Sequence, residues 1–284
     1  MADTDTFHEL RGYLFGLAYR MLGSAGDAED IVQEAYLRWS NISEPVDSPK
    51  AFLSKVTTRL CIDHLKSARV QRESYVGPWL PEPVPTEQIA GPEEAAEKAD
   101  SLSMAFLVVL ESLSPTERAV FLLREVFGYD YPEIAEIVDR SEANCRQIAH
   151  RAKEHIASRR PRFEASREQR EDLMYRFMAA CTMGDMDGLM TLLTEDITLF
   201  SDGGGRTRAA RKPIYGASKV ARFLLGVIQK APEDYSTQIV NVNGQPAIAL
   251  YEGTRPFTVL SLDMTEDRIQ GLHVVVNPDK LARF

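Results

Sequence analysis

Cysteine is scarce in this chain: three in 284 residues, an odd number. Cys61, Cys145 and Cys181 are far apart, and two of them read as buried helical positions. That excludes a disulfide framework and a closely spaced zinc set, and it fits reduced thiols. Long apolar runs are missing too. No stretch approaches eighteen residues, and no charged-then-apolar leader opens the chain, so neither a membrane span nor export is expected. Net positive charge is also lacking. The total is −9, which taken whole argues against a polyanionic partner. A core is not lacking: 44% hydrophobic and 26% charged residues are ordinary globular proportions, and the length is enough for two domains.

The charge distribution reverses the argument from the total. Residues 50–72 carry six Lys/Arg and one acid, and residues 140–162 carry seven and two. The acids collect elsewhere, nine against three bases in residues 1–47 and six against one in 82–100. Fields are local at physiological salt, so a basic patch on an acidic chain can still track phosphates.

The second basic stretch has its own architecture. Tyr131 to Arg140 and Ser141 to His155 read as two short helices joined by a tight turn at Asp139-Arg140. Pro132 suits a first helical turn, and Ser141 is a good N-cap. Ile134, Ala135 and Val138 give the first helix an apolar face. Cys145, Ile148, Ala149, Ala152 and Ile156 stripe the second at helical spacing. Its other side presents Asn144, Arg146, Gln147, His150, Arg151 and Lys153. Arg, Asn and Gln can pair bidentately with purine edges, so the pattern predicts a helix-turn-helix DNA reader. The alternative is a helical hairpin with a solvated basic face. Asn144, Arg146 and Gln147 suit base contacts; Arg140, Ser141, Arg151 and Lys153 suit phosphates.

Upstream, residues 7–22 and 27–41 read as helices split by Gly23 to Gly26. The second buries Ala28, Ile31, Val32, Ala35 and Trp39 and exposes Asp30, Gln33, Glu34 and Leu37. A leucine at the centre of an acidic face suggests a partner surface, although Asp27, Glu29 and Asp30 also suit the positive end of a helix dipole. A loop follows at 41–48, then a long helix from Pro49 to about Ser74. Lys55, Arg59 and Lys66 align on its exposed side, with Arg69 nearby and Asp63 placed to pair with Arg59 or Lys66.

Residues 16–23 (GLAYRMLG), 27–39 (DAEDIVQEAYLRW) and 51–69 (AFLSKVTTRLCIDHLKSAR) resemble region 2 of bacterial extracytoplasmic-function sigma factors. Residues 113–125 (LSPTERAVFLLRE), with the helix-turn-helix, resemble region 4. The resemblance implies that Asp30, Gln33, Glu34 and Leu37 dock on the clamp helices of core RNA polymerase, with the flap as a further contact. It implies that Asn41, Ile42, Lys55, Arg59, Lys66 and Arg69 serve the minus-ten element. Arg140, Ser141, Asn144, Arg146, Gln147, His150, Arg151 and Lys153 would serve the minus-thirty-five element. Opening a promoter takes a base out of the stack, and a loop held between helices can supply the pocket that compensates.

Five prolines in residues 76–92 predict an extended linker in which Trp79-Leu80 either packs on a domain or anchors a partner. Beyond about residue 160 the pattern predicts helices at 166–184, 186–193 and 216–230 and a strand at 197–206 running into a glycine turn. Strands at 238–242, 247–252, 257–264 and 269–276 complete an α+β domain with a curved sheet, with Asn243-Gly244 as a hairpin turn. The glycine triplet lacks the Lys-Ser/Thr of a phosphate loop and reads as a tight turn.

This third resembles the cone-shaped SnoaL-like fold. Trp79-Leu80-Pro81-Glu82-Pro83, Asp202-Gly203-Gly204-Gly205-Arg206 and Asn277-Pro278-Asp279-Lys280-Leu281 together resemble the sigma subgroup that carries this fold in one chain with region 4, as a regulator in cis. Asp202, Asp263 and His273 are weighed as acid–base groups, and the run Arg206, Arg208, Arg211, Lys212 as a docking or solvated surface.

The expected architecture is multidomain: all-α region 2 (1–75), a Pro-rich linker (76–94), an all-α region 4 (95–162) and an α+β SnoaL-like domain (163–284). The expected function is a cytoplasmic, promoter-specific sigma factor that works by binding. Core polymerase and promoter DNA are its partners, with no metal, cofactor or membrane, and a small-molecule ligand of the last domain is left open. Two alternatives stand beside it: a ligand-responsive helix-turn-helix repressor, and a sigma-derived protein whose last domain binds or converts a small molecule.

Overall fold

The computed structural model describes residues 4–89, 101–159, 166–265 and 267–284, the side chains of 68–73, 159 and 167 excepted. They fall into two compact units. The first joins the N-terminal residues through Ser74 to the segment from Thr86 to Arg160. The second joins Tyr75–Pro85 to the chain from Pro161 onward.

The first unit is helical. Helices α1 (Thr4–Leu22), α2 (Ala25–Ser40) and α3 (Pro49–Glu73) pack together. They bury Leu14, Leu17, Tyr19, Met21 and the whole expected stripe of α2. Ser24 caps α2 by accepting from the Asp27 N–H. The short α4 (Thr86–Ile89), α5 (Met104–Leu110) and α6 (Pro115–Phe121) follow. Ser114 and Glu117 close a reciprocal capping box at the start of α6. A π-helical segment, Leu122–Val126, leads to α7 (Tyr131–Val138) and α8 (Glu142–Arg159), the two helices of the expected helix-turn-helix. Asp139 takes the left-handed conformation, φ 55°, at the turn between them. The apolar face of α7 is Ile134, Ile137 and Val138; Ala135 is only half-buried, because Ile137 takes the place expected for it. All five stripe residues of α8 are buried.

Buried polar groups tie the early helices to the later ones. Arg118 donates to the Met21 carbonyl (2.6 Å) and to Glu111 (2.7 Å). Arg20 donates to Ser101 Oγ, and Tyr129 donates to Ser54 Oγ (2.7 Å). These bonds answer the cost of burying arginine and tyrosine heads.

In the second unit α9 (Arg167–Met183), α10 (Met186–Leu192) and α11 (Ala217–Ile228) cover one face of a six-stranded sheet. Its strands are β1 (Leu193–Asp202), β2 (Ile214–Tyr215), β3 (Tyr235–Val242), β4 (Gln245–Glu252), β5 (Arg255–Thr265) and β6 (Arg268–Val275), in the order β2-β1-β6-β5-β4-β3. Among the described residues, only β1 and β6 pair in parallel. Register shifts at 250/251 and 263/264 are irregularities of the kind that curve a sheet. Asn243 and Gly244 both have positive φ, as a two-residue hairpin turn demands. This curved sheet with helices on one face is the α+β arrangement that the SnoaL-like resemblance implies. A last short helix, α12 (Pro278–Leu281), follows β6.

Candidate nucleic-acid interface and linker clasp

The exposed side of α8 carries the cations that its sequence promised. Arg146, Gln147, His150 and Arg151 line one surface depression. Ser141 Oγ accepts from the Asn144 N–H (3.3 Å), so Ser141 serves as the N-cap. Arg140 turns back to the Asp139 carbonyl. Lys153 pairs with Glu125 at 2.7 Å, and Arg146 with Glu142 at 3.1 Å. His150 stands 3.3 Å from Glu154. All of these side chains are at least partly exposed.

The row on α3 is differently placed. Lys55 pairs with Glu136 of α7 at 2.5 Å. Arg59 donates to the carbonyls of Glu136 (3.0 Å) and Ile137 (2.9 Å), where α7 ends. A helix C-terminus offers unsatisfied carbonyls and partial negative charge, so α7 presents to α3 what a DNA phosphate would present. Lys55 lowers the Glu136 carboxyl below its ordinary range, by hydrogen bond first and charge second. Lys66 pairs with Asp63 (3.1 Å). Arg69 lies outside the residues whose side chains are described. Asn41 closes α2 by donating to the Leu37 carbonyl (2.8 Å), and Ile42 is half-buried beside it. On α2, Asp30, Gln33 and Leu37 are exposed, Leu37 to 49%, while Glu34 holds Arg38 at 2.9 Å.

The three motifs of the second unit converge on one carboxylate. Asp202 is fully buried at the end of β1. Its Oδ1 accepts from the Tyr75 hydroxyl (2.6 Å) and the Gly204 N–H (3.0 Å). Its Oδ2 accepts from the Leu80 N–H (2.9 Å) and from Lys280 Nζ (2.7 Å). Lys280 also donates to the Leu80 carbonyl and lies 4.1 Å from the Trp79 ring centroid. Asn277 caps α12, donates to the Tyr75 hydroxyl (3.0 Å) and packs so closely on Gly204 that a Cβ there would overlap its amide. Gly204 also has φ 58°, which side chains disfavour. Gly203 has no room for a Cβ beside the Thr207 carbonyl, and Gly205 (φ 73°) lies against Val76. Arg206 reaches Asp279 at 3.3 Å, Pro278 starts α12, and Leu281 is buried. Leu80, Pro81, Glu82 and Pro83 are buried, and Trp79 is half-buried. Trp79-Leu80 therefore packs on its own chain, one of the two readings that the sequence allows. The far end of the segment is held as well. The Val84 N–H donates to Asn243 Oδ1, and the Asn243 N–H donates to the Val84 carbonyl, both 2.9 Å.

This geometry leaves Asp202 no proton-transfer role, because its acceptor directions are used by Tyr75, Gly204, Leu80 and Lys280. Burial and then the Asp202 carboxylate raise the Tyr75 phenol above its ordinary range. Asp263 and His273 stand, like Asp202, on the sheet face opposite the helices. Residues 199, 262 and 272 face the helix-covered core, and strand alternation turns 202, 263 and 273 away. His273 is buried and stacked on Phe200 (5.7 Å), and desolvation pushes it down to about 4. The core face itself is filled by apolar side chains such as Met174, Phe177, Leu189 and Val220. The basic run Arg206, Arg208, Arg211, Lys212 is exposed. All three cysteines are buried and free, and burial raises the thiols, Cys181 to about 12. No helix among the described residues is long and apolar enough to cross a membrane.

Glu136, Tyr75 and Asn243 are parts of these sites that sequence reasoning missed. Only Asn243 carried a local signal, as a turn residue.

The chain matches the sigma-70 region 2 family over residues 6–70 and the sigma-70 region 4 family over residues 103–156. It is 35% identical to the ECF RNA polymerase sigma factor SigJ of Mycobacterium tuberculosis, across 99% of this chain and 93% of that one. It is 34% identical to the probable ECF RNA polymerase sigma factor SigI of the same organism, across 95% and 92%. The crystal structure of the M. tuberculosis extracytoplasmic function sigma factor SigJ is similar at 32% identity and a TM-score of 0.77, covering 99% of both chains. Identity at that level reaches along nearly the whole length, the α+β third included, and so the chain belongs to the extracytoplasmic-function family of RNA polymerase sigma factors.

Proposed function

We propose that this sigma factor recruits core RNA polymerase in the cytoplasm, reads two promoter elements and is regulated in cis by its α+β unit. On this reading Asp30, Gln33, Glu34 and Leu37 of α2 meet the polymerase clamp helices, and region 4 meets the flap. The loop after α2, with Asn41 and Ile42, takes the flipped base of the minus-ten element. Lys55, Arg59, Lys66 and Arg69 hold strand phosphates, a salt-sensitive and sequence-blind contribution. The exposed side of α8 reads the minus-thirty-five element, base edges through Asn144, Arg146 and Gln147 and phosphates through the flanking cations. The division follows the expected boundaries at 75, 94 and 162.

One observation carries the regulatory part: the segment Tyr75–Pro85, which joins the two DNA-reading regions, is bonded into the α+β unit through Asp202, Lys280 and Asn243. Whatever moves that unit moves the tether between the readers. The end of α7 occupies Lys55 and Arg59, so promoter phosphates must displace it to reach them. A ligand would regulate only by binding these two arrangements with different affinity.

The test is promoter-directed transcription with core polymerase, comparing the full chain with Asp202→Asn, Lys280→Ala and a truncation after Val276. Changed transcription from folded variants supports regulation through the clasp. Unchanged transcription from all of them overturns it. A full chain that never directs transcription but binds DNA alone favours the repressor.

A further inference from the structure

Tyr131 opens α7, yet the start of that helix does not need it. Asp130 and Glu133 form the capping box, and Pro132 supplies the favourable first turn. An aromatic ring at this place has another use in the structure. The Arg146 guanidinium, from α8, lies 4.4 Å from the Tyr131 ring centroid, and the Arg124 guanidinium, from the π-helical segment, lies 4.8 Å away. Each cation is tied outward to an acid, Arg146 to Glu142 and Arg124 to Asp130. Arg124 also donates to the Tyr129 carbonyl at 2.9 Å, fixed there by the wide turn at 122–126. The result is a chain of contacts, Asp130–Arg124–Tyr131–Arg146–Glu142, that crosses three elements and ends at the first turns of α8.

We infer that Tyr131 is a positioning residue for Arg146, holding its guanidinium ready for the O6/N7 edge of a guanine in the major groove. Guanidinium pairing with that edge is bidentate and therefore sensitive to orientation. An exposed arginine otherwise samples many rotamers, and ordering it on binding weakens the gain. The ring face attracts the cation without consuming the N–H groups needed for the base. Glu142 completes the hold from the other side through a bond that a base edge can replace. The inference rests on the proposed reading of the minus-thirty-five element by α8.

The experiment uses the full chain with core polymerase on a promoter library randomised across the minus-thirty-five element. Wild type is compared with Tyr131→Phe, Tyr131→Leu, Arg146→Ala and the Tyr131→Leu/Arg146→Ala pair. Arg146→Ala is expected to flatten preference at one base pair about tenfold or more. Tyr131→Leu flattens the same base pair roughly threefold, Tyr131→Phe retains the preference, and the double variant equals Arg146→Ala. A Tyr131→Leu profile that weakens evenly at every base pair, or that adds to Arg146→Ala, makes Tyr131 mere support for the helix and overturns the inference. A preference changed by Arg146→Ala but untouched by Tyr131→Leu overturns it too, leaving the α8 reading intact. If Arg146→Ala changes no preference, base readout by Arg146 falls and the inference falls with it.

Discussion

Two ionic contacts hold distant parts of this chain together, and they differ in kind. Lys280–Asp202 is closed off from water, with side-chain exposures of 11% and 0%; Lys55–Glu136 is open, at 30% and 73%. A buried pair survives only with every lone pair satisfied, and Asp202 meets that requirement with four donors. An exposed pair contributes little and exchanges readily for another anion. The comparison teaches where the molecule is fixed and where it is negotiable. Tyr75 and Leu80 bond to that buried pair, so the segment they belong to is held by groups that are costly to disturb. Lys55 is covered by a contact that another anion can replace.

Breaking the buried contact has the largest expected effect. Lys280→Ala leaves the Asp202 carboxylate buried without its cation, which costs about 3–5 kcal/mol. Lys280→Met with Asp202→Asn removes both charges and costs less. Denaturant unfolding followed by Trp79 fluorescence, in a Trp39→Phe background, measures the clasp directly. Equal losses from the two would show that charge burial is not what holds the linker.

Acid is the next lever on the same unit. His273 is buried with no hydrogen-bond partner for Nδ1 among the described residues, and its folded pKa is about 4 against an ordinary 6.5. Between those values the unfolded chain takes up a proton that the folded chain refuses. Stability is therefore full above about pH 6.5 and falls as the pH drops toward 4, by up to about 3 kcal/mol. His273→Gln removes that slope, and unfolding midpoints at pH 7.5, 5.5 and 4.5 check it. A wild-type curve that parallels the variant would mean that His273 accepts its proton in place.

The same comparison separates what was legible in the sequence from what was not. The stripes of α2 and α8, the cap at Ser141 and the Asn243-Gly244 turn are local signals, and each was readable from spacing alone. Residues 202, 263 and 273 are acid–base candidates by residue type alone, while the alternation of their strands turns them away from 199, 262 and 272. Tyr75 and Glu136 had no local signal. Their roles arise only when the fold brings residue 75 to residue 202, or residue 136 to residue 55. The two-residue β2 is too short to leave a pattern, and Ile137 displaced Ala135 from the buried face of α7 because eight residues of helix leave its rotation to the neighbours.

Loosening the exposed contact has the smallest expected effect on stability and is the sharper test of exchange. Glu136→Ala removes the anion facing Lys55 but leaves the two backbone carbonyls that hold Arg59. An exposed pair of this kind contributes little, so the unfolding midpoint of the first unit should barely move. Binding of the full chain and core polymerase to a single-stranded minus-ten oligonucleotide should tighten by up to about fivefold, since Lys55 no longer exchanges partners. Lys55→Ala should weaken the same binding and abolish the gain in a double variant. If Glu136→Ala leaves binding unchanged while Lys55→Ala weakens it, Lys55 reaches the phosphate without displacing α7, and the cover over the minus-ten face is no barrier. If neither variant matters, Lys55 is a packing contact of α3, and the basic row begins at Arg59.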